Sequence, residues 1–171
     1  MEDLLNHTGN HVSLGVLDGT DVLYLERLAA DDSTVNITRV AGRLPVHGCS
    51  AGLVFMAFAP DDERELFLQR RHTKLTEDTV TTSEELRVIM ADARRLGYVS
   101  MAGIIVEESS GISVPIFIDG GRVAATLTLI VPRGDERLSI TVPQLILAAR
   151  AISRRLGHRP PPMGMQRRSA P

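Results

Sequence analysis

The chain has 171 residues, 43% of them apolar and 23% charged, with a formal net charge of -2. That is enough to bury one core, and it gives no electrostatic reason for the chain itself to grip the phosphates of DNA. A lone cysteine, Cys49, excludes an internal disulfide and any multi-cysteine zinc or thiol-relay site, while the acidic start Met1-Glu2-Asp3 and the lack of a bilayer-length apolar run predict a cytoplasmic protein with no membrane partner.

In chain order, alternation of Val12, Leu14 and Val16 with Ser13 and Gly15 predicts a strand over His11 to Asp18. Asp18-Gly19-Thr20-Asp21 then supplies turn chemistry before a second strand over Val22 to Leu28, so the pair reads as a hairpin. A third strand is expected over Val35 to Val40, broken by Gly42-Arg43-Leu44-Pro45. The apolar run Ala51 to Phe58 suits strand or helix. A helix is preferred because Ser50 offers a cap and Pro60-Asp61 a stop, with a further helix from Asp61 through Gln69.

Thr82 and Glu85 stand at capping-box spacing, and Leu86, Ile89, Ala93 and Leu96 follow at helical intervals up to Gly97, a left-handed cap. Two strand-like runs follow, Gly111 to Asp119 and Arg122 to Val131. The Asp119-Gly120-Gly121 link is so short that they must pair antiparallel. A last helix is expected from about Thr141, with Pro143 in its first turn and Leu145, Ala149, Ile152 and Leu156 on one stripe until Gly157. The remaining HRPPPMGMQRRSAP reads as a mobile tail whose Arg159, Arg167 and Arg168 are solvated. Hairpin-paired strands with helices between and after them give an α+β domain: an antiparallel sheet with helices packed against it.

Gly42-Arg43-Leu44-Pro45-Val46-His47-Gly48-Cys49-Ser50-Ala51-Gly52, followed by apolar Val54 to Phe58, resembles the G-x-x-L-P-x-H-x-x-A-x-G-K segment of the IclR family of bacterial transcription regulators. Leu75-Thr76-Glu77-Asp78-Thr79-Val80, Arg94-Arg95-Leu96-Gly97-Tyr98, Pro115-Ile116-Phe117 and Ala124-Ala125 follow in that family's order, so the resemblance runs from about Leu4 to Gly157. It implies a GAF-like effector-binding domain over residues 9–157, the end of a linker helix over 1–8 and a tail over 158–171. It also implies pairing into a dimer or tetramer, and contact with DNA only through a winged helix-turn-helix that this chain does not carry. Where the family has a lysine this sequence has Leu53, and where the family has an acidic cluster it has Met101-Ala102-Gly103-Ile104. Both changes favour a carboxylic acid with an apolar body over a short hydrophilic keto acid.

The expected small-molecule effector site starts at His47 to Gly52. Backbone N–H groups at a helix start favour a carboxylate there, with Gly48, Cys49, Ser50 and Ala51 close to it; a glycine-eased helix start on the sheet is the alternative. In the last strand Val123, Ala125, Leu127, Leu129 and Val131 form a core face. Ala124, Thr126, Thr128 and Ile130 form the other, either a cavity wall or a solvated surface. The paired strand adds Gly111, Ser113 and Phe117, and the resemblance places Met101, Ala102, Gly111, Thr128 and Ile130 beside the ligand, with Ile104 joining them from the segment that replaces the acidic cluster.

No cofactor or metal is expected, because the five histidines are scattered along the chain and there is no second cysteine. His47 reads as structural, Cys49 as a buried small residue, Glu107-Glu108 as a solvated turn and Asp61 to Arg64 as a charged helix start. No triad, phosphate loop or metal set indicates an enzyme. An assembly module whose cavity is filled by its own side chains stands as the alternative to a receptor.

Overall fold

A computed structural model describes residues 1–29 and 42–159. The strand expected over Val35 to Val40, and the tail from residue 160 on, lie outside them. Helix α1 (Glu2–Thr8) leads into β1 (His11–Asp18), β2 (Asp21–Leu28) and a short β3 (Arg43–Pro45). Helices α2 (Ser50–Ala57), α3 (Asp61–Leu68) and α4 (Ser83–Leu96) follow. Then come β4 (Val99–Ala102), β5 (Ser109–Phe117), β6 (Val123–Pro132) and α5 (Leu138–Arg155). The described strands form one antiparallel sheet in the order β3-β2-β1-β6-β5-β4.

Alternation along each strand divides the core between the two faces of this sheet. One face, with Val22, Tyr24, Val99 and Met101, packs on the wholly buried α2, behind which lie Leu86, Met90 and Ala93 of α4. The other, with Val12, Ile112, Val114, Leu127 and Leu129, packs on Leu145 and Ala149 of α5 and on Leu4 of α1. Leu53 is fully buried, which accounts for an apolar residue where the related motif has a lysine.

Helix α4 forms as its spacing predicts: the Thr82 hydroxyl accepts from the Glu85 N–H and Gly97 closes the helix in the left-handed region at φ 83°. Four expectations need correction. Arg43–Pro45, read as a strand breaker, is itself a strand, pairing with Asp21 to Leu23. The run Val99–Ala102, predicted as no element, is an edge strand on β5. Helix α5 begins at Leu138, so Pro143 sits in its second turn, where the missing N–H leaves the turn one bond short, and Leu156 ends half-exposed outside the apolar stripe. His158, expected to begin the tail, stacks on Phe117 at 5.3 Å and has Nδ1 3.1 Å from the Ile118 carbonyl. Pro115 is tolerated inside β5 because β4 covers only Ser110 to Ser113, leaving Pro115 with no neighbour on that side to receive an N–H.

Candidate ligand cavity

The chain enters α2 from β3 through a one-turn 3-10 helix at Val46–Gly48, and Cys49, extended at φ -153° and ψ 149°, is the N-cap. Its sulfur accepts the Gly52 N–H at 3.4 Å while its own S–H points at the Pro45 carbonyl, 3.6 Å away. The cap expected from Ser50 is therefore made by Cys49, and the sulfur takes up first-turn donors that a carboxylate would otherwise meet. Burial pushes the Cys49 thiol up to about 11, so it carries no thiolate near neutral pH and is not a poised nucleophile. Tyr24, buried against it, is likewise raised, first by burial and then by the sulfur.

Freed from capping, the Ser50 hydroxyl reaches the sheet. It lies 2.8 Å from the Ser113 hydroxyl, which lies 2.7 Å from that of Thr128. The register puts Ser113 opposite Thr128 and Thr128 opposite Ser13, so a row of hydroxyls crosses β5, β6 and β1 under the start of α2. Ser113, Thr128 and Ser13 are fully buried or nearly so, and the threonine face of β6 is not a solvated surface. Buried hydroxyls at this spacing satisfy one another and fix the helix start on the sheet.

Above this row lies a cavity of about 50 Å³, bounded by Gly48, Cys49 and Ser50 of the α2 approach, Met101 and Gly111, and Thr128 and Ile130 of β6. Ile104 closes it on the outer side. Gly111 is needed there, because a methyl group at its position would come within 2.8 Å of the Ser50 hydroxyl. Among the described residues no charged side chain lines the space. Its far wall is the turn after β4, held by threonines. Thr76 Oγ1 donates to the Gly103 carbonyl at 2.7 Å, and Thr79, 3.3 Å from the Ile104 carbonyl, accepts the N–H groups of Leu75 and Thr76.

Of the twelve residues expected at the site, Gly48, Cys49, Ser50, Met101, Ile104, Gly111, Thr128 and Ile130 surround the cavity, and Ser113 lies just beneath it in the hydroxyl row. Three do not meet it. Ala51 packs into the core, and Ala102, one residue from Met101 on a strand, alternates away from it. Phe117 lies at the far end of β5, edge-on to Phe58 at 5.3 Å. Tyr24, Leu44, Ile105 and Ser109 line the cavity without having been expected. Tyr24 shares the parity of inward Val22 on β2, which is a usable signal; Leu44 was hidden by reading its segment as a break.

The bland readings of the other singled-out residues agree with their surroundings. His47 is buried with Nε2 2.8 Å from the Thr73 carbonyl, and its ring lies 4.8 Å from that of His72. His72, whose Nε2 has no hydrogen-bond partner among the described residues, is held below the usual imidazole range by burial and then by His47. Glu107 and Glu108 are exposed in a turn, and Asp61, Asp62 and Glu63 form the acidic first turn of α3. Among the described residues no three metal-ligating side chains converge, and no helix is long and apolar enough to cross a membrane.

An antiparallel sheet, one face closed by a helix whose first turn meets a small cavity, is the arrangement of a GAF-like domain. The sequence profile described as bacterial transcriptional regulator IclR C-terminal matches residues 1–154, and the chain belongs to that family. It is 30% identical over 162 residues to the HTH-type transcriptional regulator XynR of Escherichia coli, covering 92% of this chain and 64% of that protein. To KdgR of the same organism it is 30% identical over 165 residues, covering 92% and 62%. These relatives are named as regulators, not enzymes, and the chain spans less than two thirds of their length.

Among solved structures, an IclR homologue from Microbacterium hydrocarbonoxydans, complexed with 4-hydroxybenzoate, superposes with a TM-score of 0.86 at 39% identity, covering 92% of this chain and 65% of that one. The IclR protein of Thermotoga maritima superposes equally well, with a TM-score of 0.86 at 23% identity, and supports the fold.

Proposed function

We propose that the chain is the effector-sensing part of a transcription regulator, and that its effector is a compact carboxylic acid with an apolar body, seated between the start of α2 and strands β4 to β6. The observation that carries this reading is the hydroxyl row Ser50–Ser113–Thr128 at the base of a cavity that is otherwise largely apolar and, among the described residues, uncharged. Apolar walls with a few converging polar groups are the usual composition of a small-molecule site. The 4-hydroxybenzoate bound by the Microbacterium homologue has that same division into ring and polar ends.

At about 50 Å³ the space holds a water or two, whereas drug-sized sites begin at about 300 Å³. Binding must therefore displace Met101, Ile104 or Ile105. A ligand that requires this rearrangement prefers one of two states, and so can shift how paired copies present DNA-binding domains joined to them. With no cation in the lining among the described residues, an acid enters at least partly in its protonated form.

The test is calorimetric titration with 4-hydroxybenzoate, benzoate, decanoate and pyruvate between pH 5.5 and 8. Saturable binding of an aromatic acid that strengthens as pH falls, and is lost in Gly111→Leu, supports the reading. Tight binding of pyruvate alone refutes the apolar body. Binding by none of them, with an unaltered dimer by light scattering, favours a domain that only assembles.

A further inference from the structure

A second concavity, of about 850 Å³, lies at the other end of α2, between the last turn of α4 and the C-terminal half of α5. Its floor is apolar, made by Phe58, Pro115, Phe117 and Ile146. Its charged lining is cationic: Arg94 and Arg95 come from α4, Arg150 and Arg154 from α5, His158 lies beside them, and among the described residues no acidic side chain lines it. Two of these charges are already committed. Arg94 Nη1 donates to the Ala57 carbonyl at 3.0 Å and Arg95 pairs with Asp92 at 2.9 Å. Arg150 and Arg154 have no hydrogen bond or ion pair among the described residues. Four residues apart on one helix face, they repel each other until an anion lies between them.

The edge of β5 beside the groove does not invite an added strand. Pro115 has no N–H, and the Phe117 N–H donates to Ser153 Oγ at 2.9 Å. The main-chain donors that strand addition uses are thus missing or taken. Nor does charge favour the chain's own C-terminal residues, which contain Arg167 and Arg168 and no acidic side chain beyond residue 159. An apolar floor under paired guanidinium groups matches a molecule with an apolar chain and an anionic head.

We propose that this groove binds an amphipathic carboxylate, with its alkyl or aryl-alkyl body on Phe117 and Ile146 and its head between Arg150 and Arg154, as a site separate from the cavity at the start of α2. The groove differs from that cavity in chemistry, since its charges take the acid in ionised form.

The probe is decanoate, titrated calorimetrically at pH 8 into the wild-type chain, with 1-decanol as the uncharged match. Saturable binding at least tenfold tighter than decanol is expected. Arg150→Gln/Arg154→Gln should weaken it tenfold or more, Arg150→Lys/Arg154→Lys should restore part of it, and Ile130→Phe, which fills the other cavity, should leave it unchanged. The melting temperatures of the arginine variants verify that these exposed positions have not unfolded the domain.

Any of four results overturns the proposal: no saturable binding, equal binding of acid and alcohol, full binding by the glutamine variant, or loss of binding in Ile130→Phe alone. A change in sedimentation of the glutamine variant with unchanged decanoate binding would instead assign the groove to contact between copies. Because the two sites are separated by different variants and by opposite expected pH dependence, failure of one leaves the other standing.

Discussion

Gly52 of α2 lies flat against the main chain of Val46: a methyl group at position 52 would stand 2.1 Å from the Val46 carbonyl oxygen and 2.5 Å from its Cα. Those are backbone atoms of the turn that delivers the chain to the cavity, and they have no rotamer by which to move aside. Gly52→Ala should therefore cost at least the upper part of the about 1–3 kcal/mol usual for overpacking. Gly120→Ala, at a left-handed position with open space around it, should cost about 1 kcal/mol from conformation alone. Urea unfolding of the two variants checks the difference; equal losses would mean that the turn yields.

The hydroxyl row predicts a second hierarchy. Ser113 accepts or donates to both Ser50 and Thr128, at 2.8 and 2.7 Å, in a place without access to bulk water. Ser113→Ala strands two partners and should destabilise by about 1–3 kcal/mol, whereas Thr128→Val strands one and keeps its shape. A double-mutant cycle between them should give a coupling of about 0.5–3 kcal/mol. Additive losses would show that the two hydroxyls act independently.

These two features were unequally legible in the sequence. Local pattern located the elements on either side: the hairpin through Asp18-Gly19, the Thr82-to-Gly97 helix, and the inward and outward faces of β6. The expectation that Gly48, Ser50, Gly111 and Thr128 face one site came from the resemblance, because local pattern alone left the helix start and the threonine face open to a purely structural reading. Register was the missing information. Nothing in the local pattern says that Ser50, 63 residues away in sequence, meets Ser113, and that contact is what released the capping role to Cys49. Edge strands such as Arg43–Pro45 and Val99–Ala102 are too short to show a period, and their place is set by the partner strand. Phe117 was misplaced for a related reason: parity gave its face of the strand but not which end of that face the cavity occupies.

Outside the core, Gly103 carries the turn that closes the cavity, at φ 69°, and a Cβ there would lie 2.3 Å from Asp78 Oδ2 and 2.5 Å from Arg133 Nη1. Those two groups form an ion pair 2.6 Å apart, each about half exposed. Asp78→Asn should cost no more than about 1 kcal/mol, and that cost should shrink in high salt, as for surface pairs in general. Gly103→Ala should cost more, at any salt concentration, because it combines left-handed strain with loss of the same pair. Thermal melts at low and high salt distinguish the two; identical salt dependence would show that the glycine acts only through the ion pair.

Cys49 gives stability a pH dependence whose sign follows from burial. Its thiol titrates at about 11 in the folded chain against an ordinary value of 9.0, so between those values the native state holds a proton that the unfolded state has released. Stability contributed by the neutral thiol is complete below about pH 9 and is lost as pH rises toward 11, with a slope of at most about 1.4 kcal/mol per pH unit. Tyr24, raised in the same direction by burial, steepens the fall at the upper end. Cys49→Ala removes the titrating group while giving up the sulfur that caps Gly52, so it should be less stable at pH 7 and lose stability less steeply from pH 9 to 11. Urea midpoints across that range test this. Parallel curves for the two proteins would show that the thiol ionises as freely in the folded chain as in the unfolded one, and that the helix start is open to water.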